Sequence, residues 1–168
     1  MVRVNNPFAA DKLIAQARQL AAEYRRTMGK PLPGISSEIA EHDAVRLLGL
    51  EANTQNEAGW DAVDRDTGSR IQIKSRTIFD ESKSGQRIGQ LKMNQEWDSV
   101  VLVLMDENYE PYEIYQARRE DLEEHVDASS GNRAKRGAMS VARFKNVGEL
   151  VWDKANGRQD GVWDNQAG

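Results

Sequence analysis

Residues Val100 to Met105 read Val-Val-Leu-Val-Leu-Met, an apolar run with no polar interruption. Successive side chains of a strand point to opposite faces, so such a run needs apolar cover on both sides. That is the signature of a central strand with layers packed above and below it. The rest of the chain must supply those layers.

Two helical segments precede it. From Asp11 to about Met28, Leu13, Ile14, Ala17, Leu20, Ala21 and Tyr24 recur at helical spacing, with Asp11 able to cap the start. Gly29, Pro31, Pro33 and Gly34 break this helix. A second begins near Ser36 or Ser37, either of which can cap it, and Ile39, Ala40, Ala44, Val45, Leu47 and Leu48 give it a buried face. Gly49 is placed to stop it. Strands are expected at 61–65 and 70–76, joined through Asp66-Thr67-Gly68-Ser69, a good turn sequence. Tyr112 to Tyr115 reads as an outer strand and Arg119 to Val126 as a short helix. Residues 127–137 are rich in Ser, Gly, Asn, Lys and Arg and read as a loop; Phe144, Val147, Leu150 and Val151 mark one more packed element.

This order predicts an α/β layered fold, a central mixed sheet flanked by helices. With 168 residues and no linker in sight, one domain is expected. It divides into an N-terminal helix and connector (1–35), a core (36–155) and a patternless, disordered tail (156–168). No apolar run approaches the ~20 residues that span a bilayer, and the first residues lack a signal-peptide core. A cytoplasmic protein without membrane partners is the expectation.

Composition limits the chemistry. There is no cysteine, and His42 and His125 are the only histidines, so a bound metal would be held mainly by oxygen. The net charge of -4 argues against a protein that coats nucleic acid non-specifically. The charge is uneven, however. From Arg65 to Lys92 there are seven basic residues against three acidic ones, and between Leu102 and Asp127 the balance reverses. A phosphate-bearing ligand would be drawn to the positive segment; an ordinary solvated surface is the plainer reading of the same residues.

The most specific pattern in the chain begins just before that segment and runs into it: Gly59-Trp60-Asp61-Ala62, then Ile71-Gln72-Ile73-Lys74-Ser75-Arg76. Gln72 and Lys74, two apart on a strand, share a face, while Ile71 and Ile73 turn to the core. If Thr67-Gly68 were a two-residue turn, Asp61 would lie opposite Lys74. Glu38 and Glu41, about one turn apart on the second helix, can reach the same spot. A carboxylate, an amide oxygen and an ammonium so grouped suit metal-dependent phosphodiester hydrolysis: hard cations take carboxylate and carbonyl oxygens, and an ammonium stabilises phosphoryl charge or orients water.

Glu38, Gly59-Trp60-Asp61 and Gln72-Ile73-Lys74 together resemble the PD-(D/E)XK nuclease superfamily, whose fold is restriction-endonuclease-like. The resemblance maps the helix glutamate to Glu38, the acidic residue to Asp61 and the lysine to Lys74. Gln72 departs from the usual Asp or Glu, in a Gln-x-Lys form similar to that of modification-dependent restriction enzymes. From Tyr24 to about Val151 the chain is also similar to a small bacterial family of uncharacterised domains in that superfamily. The resemblance implies a Mg²⁺- or Mn²⁺-dependent endonuclease acting on DNA, often as a homodimer. Asp61, Gln72 and Glu38 would hold metal and Lys74 would activate the nucleophile. From the residues alone, Arg76, Lys83 and Arg87 could hold phosphates beside them, and a flexible charged loop is the plainer reading of the same residues. The competing expectation, favoured by neutral Gln72 and the acidic net charge, is a non-catalytic member that binds nucleic acid or a protein. Trp60 and Trp97 are expected to be packed.

Overall fold

The computed structural model describes residues 7–53, 59–80, 82, 85–128 and 139–159. In chain order the described elements are α1 (Pro7–Met28), α2 (Ser36–Leu48), β1 (Glu51–Ala52), β2 (Ala62–Val63), β3 (Arg70–Thr77), β4 (Ser99–Met105) and β5 (Pro111–Arg118). These are followed by α3 (Arg119–Ala128), α4 (Val141–Val147), β6 (Glu149–Asp153) and β7 (Gly157–Arg158).

The strands form one sheet in the order β1-β2-β3-β4-β5-β6-β7. Only β3 and β4 run parallel; every other neighbouring pair is antiparallel. The apolar run is β4, in the middle of the sheet and buried along its whole length. Its side chains alternate as the pleat demands. Val101, Val103 and Met105 pack with Ala21 and Ala22 of α1 and with Ile39, Ala40, Ala44 and Leu48 of α2. Val100, Leu102 and Leu104 pack with Leu122 of α3 and with Val141 and Phe144 of α4. The protein is therefore an α/β fold with a mixed sheet between helical layers. No helix among the described residues is long and apolar enough to cross a membrane.

A parallel pair needs a crossover, most often a helix. Here the described part of the connection between β3 and β4 is irregular, and it covers the sheet face with Ile88, Leu91 and Trp97. Arg119, the first residue of α3, clamps this segment. Its guanidinium donates to the carbonyls of Gln95 (2.6 Å), Trp97 (3.3 Å) and Met93, and lies 4.5 Å from the Trp97 ring centroid.

A second anchor joins α1, α2 and the β4–β5 turn. Arg18 grips Asp43 with both terminal nitrogens, at 2.8 and 2.7 Å, and donates to Tyr109 O at 2.6 Å. The Asp43 side chain is fully buried.

Several sequence expectations are corrected. α1 starts at Pro7, not Asp11, because proline suits the first helical turn; Asp11 instead meets His42 Nε2 at 2.9 Å. Neither serine caps α2: Ile35 occupies that position without a side-chain bond. Gly49 does end α2, in the left-handed region at φ 64°. β5 is an inner strand, because β6 and β7 lie outside it. α3 runs on to Ala128, so residues 127 and 128 are helical; residues 129–138 lie outside the described residues. Gly157 and Arg158 pair with β6, so ordered structure continues past Asn156.

Candidate functional site: a cleft at the open edge of β3

β2 is only two residues long, and this shortness makes the site. Its register pairs Ala62 with Ile71 and Val63 with Arg70, which sets Asp61 beside Gln72, not beside Lys74 as a two-residue turn would. The turn is longer than that. Asp64 N donates to Ser69 O at 2.9 Å, Gly68 N to Asp64 O at 2.8 Å, and the Asp64 carboxylate accepts from Asp66 N.

Beyond Ala62 the main chain of β3 has no further strand neighbour on that side among the described residues, and Asp61 takes over. Its main-chain N–H donates to Ile71 O at 2.7 Å, and its Oδ2 accepts from Ile73 N at 2.8 Å. The carboxylate is thus held at the strand edge between Gln72 and Lys74. Further along, the edge opens into a cleft of about 540 Å³ lined by Ser37, Glu41, Gly59, Trp60, Asp61, Gln72, Ile73, Lys74, Ser75, Gly89, Lys92 and Gln95.

Each wall has a distinct origin. α2 brings Glu41 to the cleft, while Glu38, a turn earlier, is exposed and stays outside the lining. The helix carboxylate of the cleft is therefore Glu41, the second of the two candidates. Burial, then repulsion from Asp61 and Glu38, raises its pKa from 4.5 to about 7. Lys74 on β3 is half-buried; burial and the neighbouring Lys92 lower its pKa, against the pull of Asp61. Gly89 comes close to it, since a Cβ there would stand 3.8 Å from Lys74 Nζ.

Gln72 is 3% exposed. Its Nε2 donates to Gly59 O at 3.4 Å, which leaves Oε1 as the other end of the amide. That oxygen is buried without a hydrogen-bond partner among the described residues, and so is Oε1 of Gln95. A buried carbonyl left unpaired costs about 1–3 kcal/mol. Gly59 holds the turn against the crossover: it has φ 107°, and a Cβ there would sit 2.5 Å from Glu96 O and 3.1 Å from Gln95 Cβ. Only glycine permits that approach.

The remaining candidates fall as follows. Arg76 follows Lys74 by two on β3, on the same strand face, and is exposed. Arg87 is bridged to Ser140 and is half-buried. Neither lines the cleft. Lys83 lies outside the described residues. Trp97 is buried, as expected; Trp60 is partly buried, with the Arg70 guanidinium 5.4 Å from its ring centroid. Lys92 and Gln95 escaped the sequence reading, because a crossover without a motif gives no sign of where it will fold back.

Two larger clefts, of about 700 and 650 Å³, lie elsewhere. Their charges are largely matched: Lys145 pairs with Glu113 at 3.3 Å in the first, and Arg118 with Asp121 and Arg119 with Glu123 in the second. In the β3-edge cleft Asp61 repels Glu41 and Lys92 repels Lys74, while Asp61 attracts Lys74.

Among the described residues no three His, Cys, Asp or Glu side chains form a metal-binding group. The oxygen donors of the cleft are instead two carboxylates, Glu41 and Asp61, and amide oxygens. The fit to a hard divalent cation is good on two counts. Gln72 Oε1 is a buried acceptor to which nothing donates among the described residues, and the mutual repulsion of Glu41 and Asp61 is what a cation relieves.

Comparison with protein-family models and with curated proteins finds no match. The fold and the cleft define the class on their own terms: an α/β protein with a charged, oxygen-rich cleft at the open edge of a mixed sheet.

Proposed function

We propose that this protein is a divalent-cation-dependent phosphodiesterase acting on DNA, in the manner of the PD-(D/E)XK nucleases that its motifs resemble. The observation that carries the reading is the grouping of Glu41, Asp61, Gln72 and Lys74 around one cleft, with Gln72 Oε1 buried and without a hydrogen-bond partner among the described residues.

Asp61, Gln72 and Glu41 would hold the cation. When bound, Mg²⁺ or Mn²⁺ polarises a phosphoryl oxygen and acidifies a water. Asp61 is fixed for this by the Ile73 amide, so it meets a ligand without first being ordered. Lys74, whose pKa is lowered by burial, can exchange a proton with water nearer neutral pH than an exposed lysine can, and its ammonium can hold a phosphoryl oxygen. Lys92 adds a second positive charge at the cleft, and Arg76 continues that charge along β3. A polyanionic strand is the substrate class this arrangement favours.

The test is cleavage of linear and supercoiled DNA with Mg²⁺ or Mn²⁺. Wild type is expected to cut, and Lys74→Ala to lose cutting while unfolding at the wild-type temperature. Lys74→Ala cutting at the wild-type rate removes the mechanism.

One observation favours a second reading, a non-catalytic DNA-binding member of the fold: Gln72 stands where a third negative charge would strengthen a metal centre. Gel-shift binding without divalent metal, weakening steeply with salt and with no cleavage in any metal, would establish it.

A further inference from the structure

Gln95 lies in the crossover between β3 and β4, outside the motifs that suggest the site. Its Oε1 shares a rare condition with Oε1 of Gln72: both are buried, both lack a hydrogen-bond donor among the described residues, and both belong to residues lining the same cleft. Both residues also border Gly59. Gln72 Nε2 donates to Gly59 O, and a Cβ on Gly59 would stand 3.1 Å from Gln95 Cβ. A carbonyl oxygen only accepts, so each needs a donor or a cation. We propose that Gln95 is a second amide-oxygen ligand, with Gln72, for the divalent cation of this cleft. This rests on the cation-dependent reading above.

The charge count gives the arrangement its sense. Two carboxylates, Glu41 and Asp61, balance one divalent cation, and two neutral amides complete the oxygen set without adding negative charge. The filled site then does not repel an incoming phosphodiester, and Lys74 and Lys92 attract it. A site with few charged ligands binds its cation weakly alone and more tightly beside a phosphate. Gln95 is also held firmly enough to serve as a ligand: Gln95 N donates to Lys92 O at 3.0 Å, and Gln95 O accepts from Arg119 at 2.6 Å.

The test is Mn²⁺ titration by calorimetry, with and without inorganic phosphate, on wild type, Gln95→Met, Gln95→Glu and Asp61→Ala. Gln95→Met keeps the length of the side chain and removes the oxygen. It is expected to weaken Mn²⁺ binding roughly tenfold or more, with its metal-free unfolding temperature no lower than that of wild type. Gln95→Glu is expected to tighten Mn²⁺ binding and to lose the enhancement by phosphate. Wild-type Mn²⁺ affinity in Gln95→Met, alongside loss in Asp61→Ala, would overturn the role of Gln95 and leave the cation site standing. No Mn²⁺ uptake by wild type, even with phosphate, would overturn both.

Discussion

The main-chain amide of Ile73 donates to Asp61 Oδ2 at 2.8 Å, so one carboxylate closes the edge of β3 where β2 gives out. The same side chain thus has a structural bond and a free oxygen for the cleft, and the two roles are separable by substitution.

Asp61→Asn keeps an oxygen for the Ile73 amide and removes the charge. Asp61→Ala removes both and leaves a half-buried N–H unpaired, a loss of about 1–3 kcal/mol. Urea unfolding is expected to show Asp61→Asn near wild type and Asp61→Ala clearly weaker, while calorimetry shows both deprived of Mn²⁺ binding. Equal stability of the two variants would mean that the 2.8 Å bond contributes nothing.

Glu41 gives a pH dependence of stability with a definite sign. A carboxyl that binds its proton more tightly in the folded than in the unfolded chain stabilises the fold at low pH. That contribution is lost as pH rises from 4.5 through about 7. Glu41→Gln removes the titration, so the variant should gain on wild type in unfolding temperature between pH 5 and pH 8. Saturating Mn²⁺ should erase the gain, because a cation replaces the proton. A difference that stays constant over the pH range would contradict the raised pKa that burial and the repulsion from Asp61 and Glu38 give Glu41.

Asp43 and Arg18 form a buried pair whose members cannot be removed singly without cost. Asp43→Ala takes away the buried carboxylate and leaves the Arg18 guanidinium only the exposed Glu110 carboxylate at 3.5 Å, and is expected to cost roughly 3 kcal/mol. The double change Arg18→Met with Asp43→Leu removes both charges and should cost far less. Chemical denaturation of the three variants measures this, and a double variant as weak as Asp43→Ala would show that the pair contributes more than the removal of a lone charge explains.

Arg119 is distant from the catalytic candidates in sequence but organises one wall of their cleft. Arg119→Leu takes its donor from the carbonyls of Met93, Gln95 and Trp97. Hydrogen exchange should quicken at residues 92–97 and remain unchanged in α2, and Mn²⁺ affinity should fall with it. Unchanged exchange at 92–97 would show the crossover to be held by Trp97 and Leu91 packing alone.

How far the sequence could be read depended on whether the governing interaction was local. The apolar run of β4 demanded two covering layers, and the helical periods of α1 and α2 supplied one of them. The Gly49 stop and the shared face of Gln72 and Lys74 follow from backbone geometry, which acts over a few residues. Ile71-Gln72-Ile73-Lys74 therefore announced both a strand and a candidate site before any fold was known. The choice between Glu38 and Glu41 was not local. It depended on how α2 is rotated against the sheet, which Ile39, Ala40 and Ala44 decide by burying their own face and carrying Glu41 to the open edge of β3. The hairpin register escaped for a related reason: the Asp64 and Thr67 side chains stabilise a longer turn than the Thr67-Gly68 pair suggests.

By itself the sequence determined the α/β layering, the central strand and the residues around which a phosphate-directed site could form, because hydrophobic periodicity and strand alternation are written along the chain. Only the tertiary structure decided that Glu41 faces Asp61, that Lys92 and Gln95 fold back from the crossover to the same cleft, and that Arg18 and Arg119 hold the frame. Those relations join residues far apart in sequence, and long-range packing, which no short window of residues encodes, brings them together.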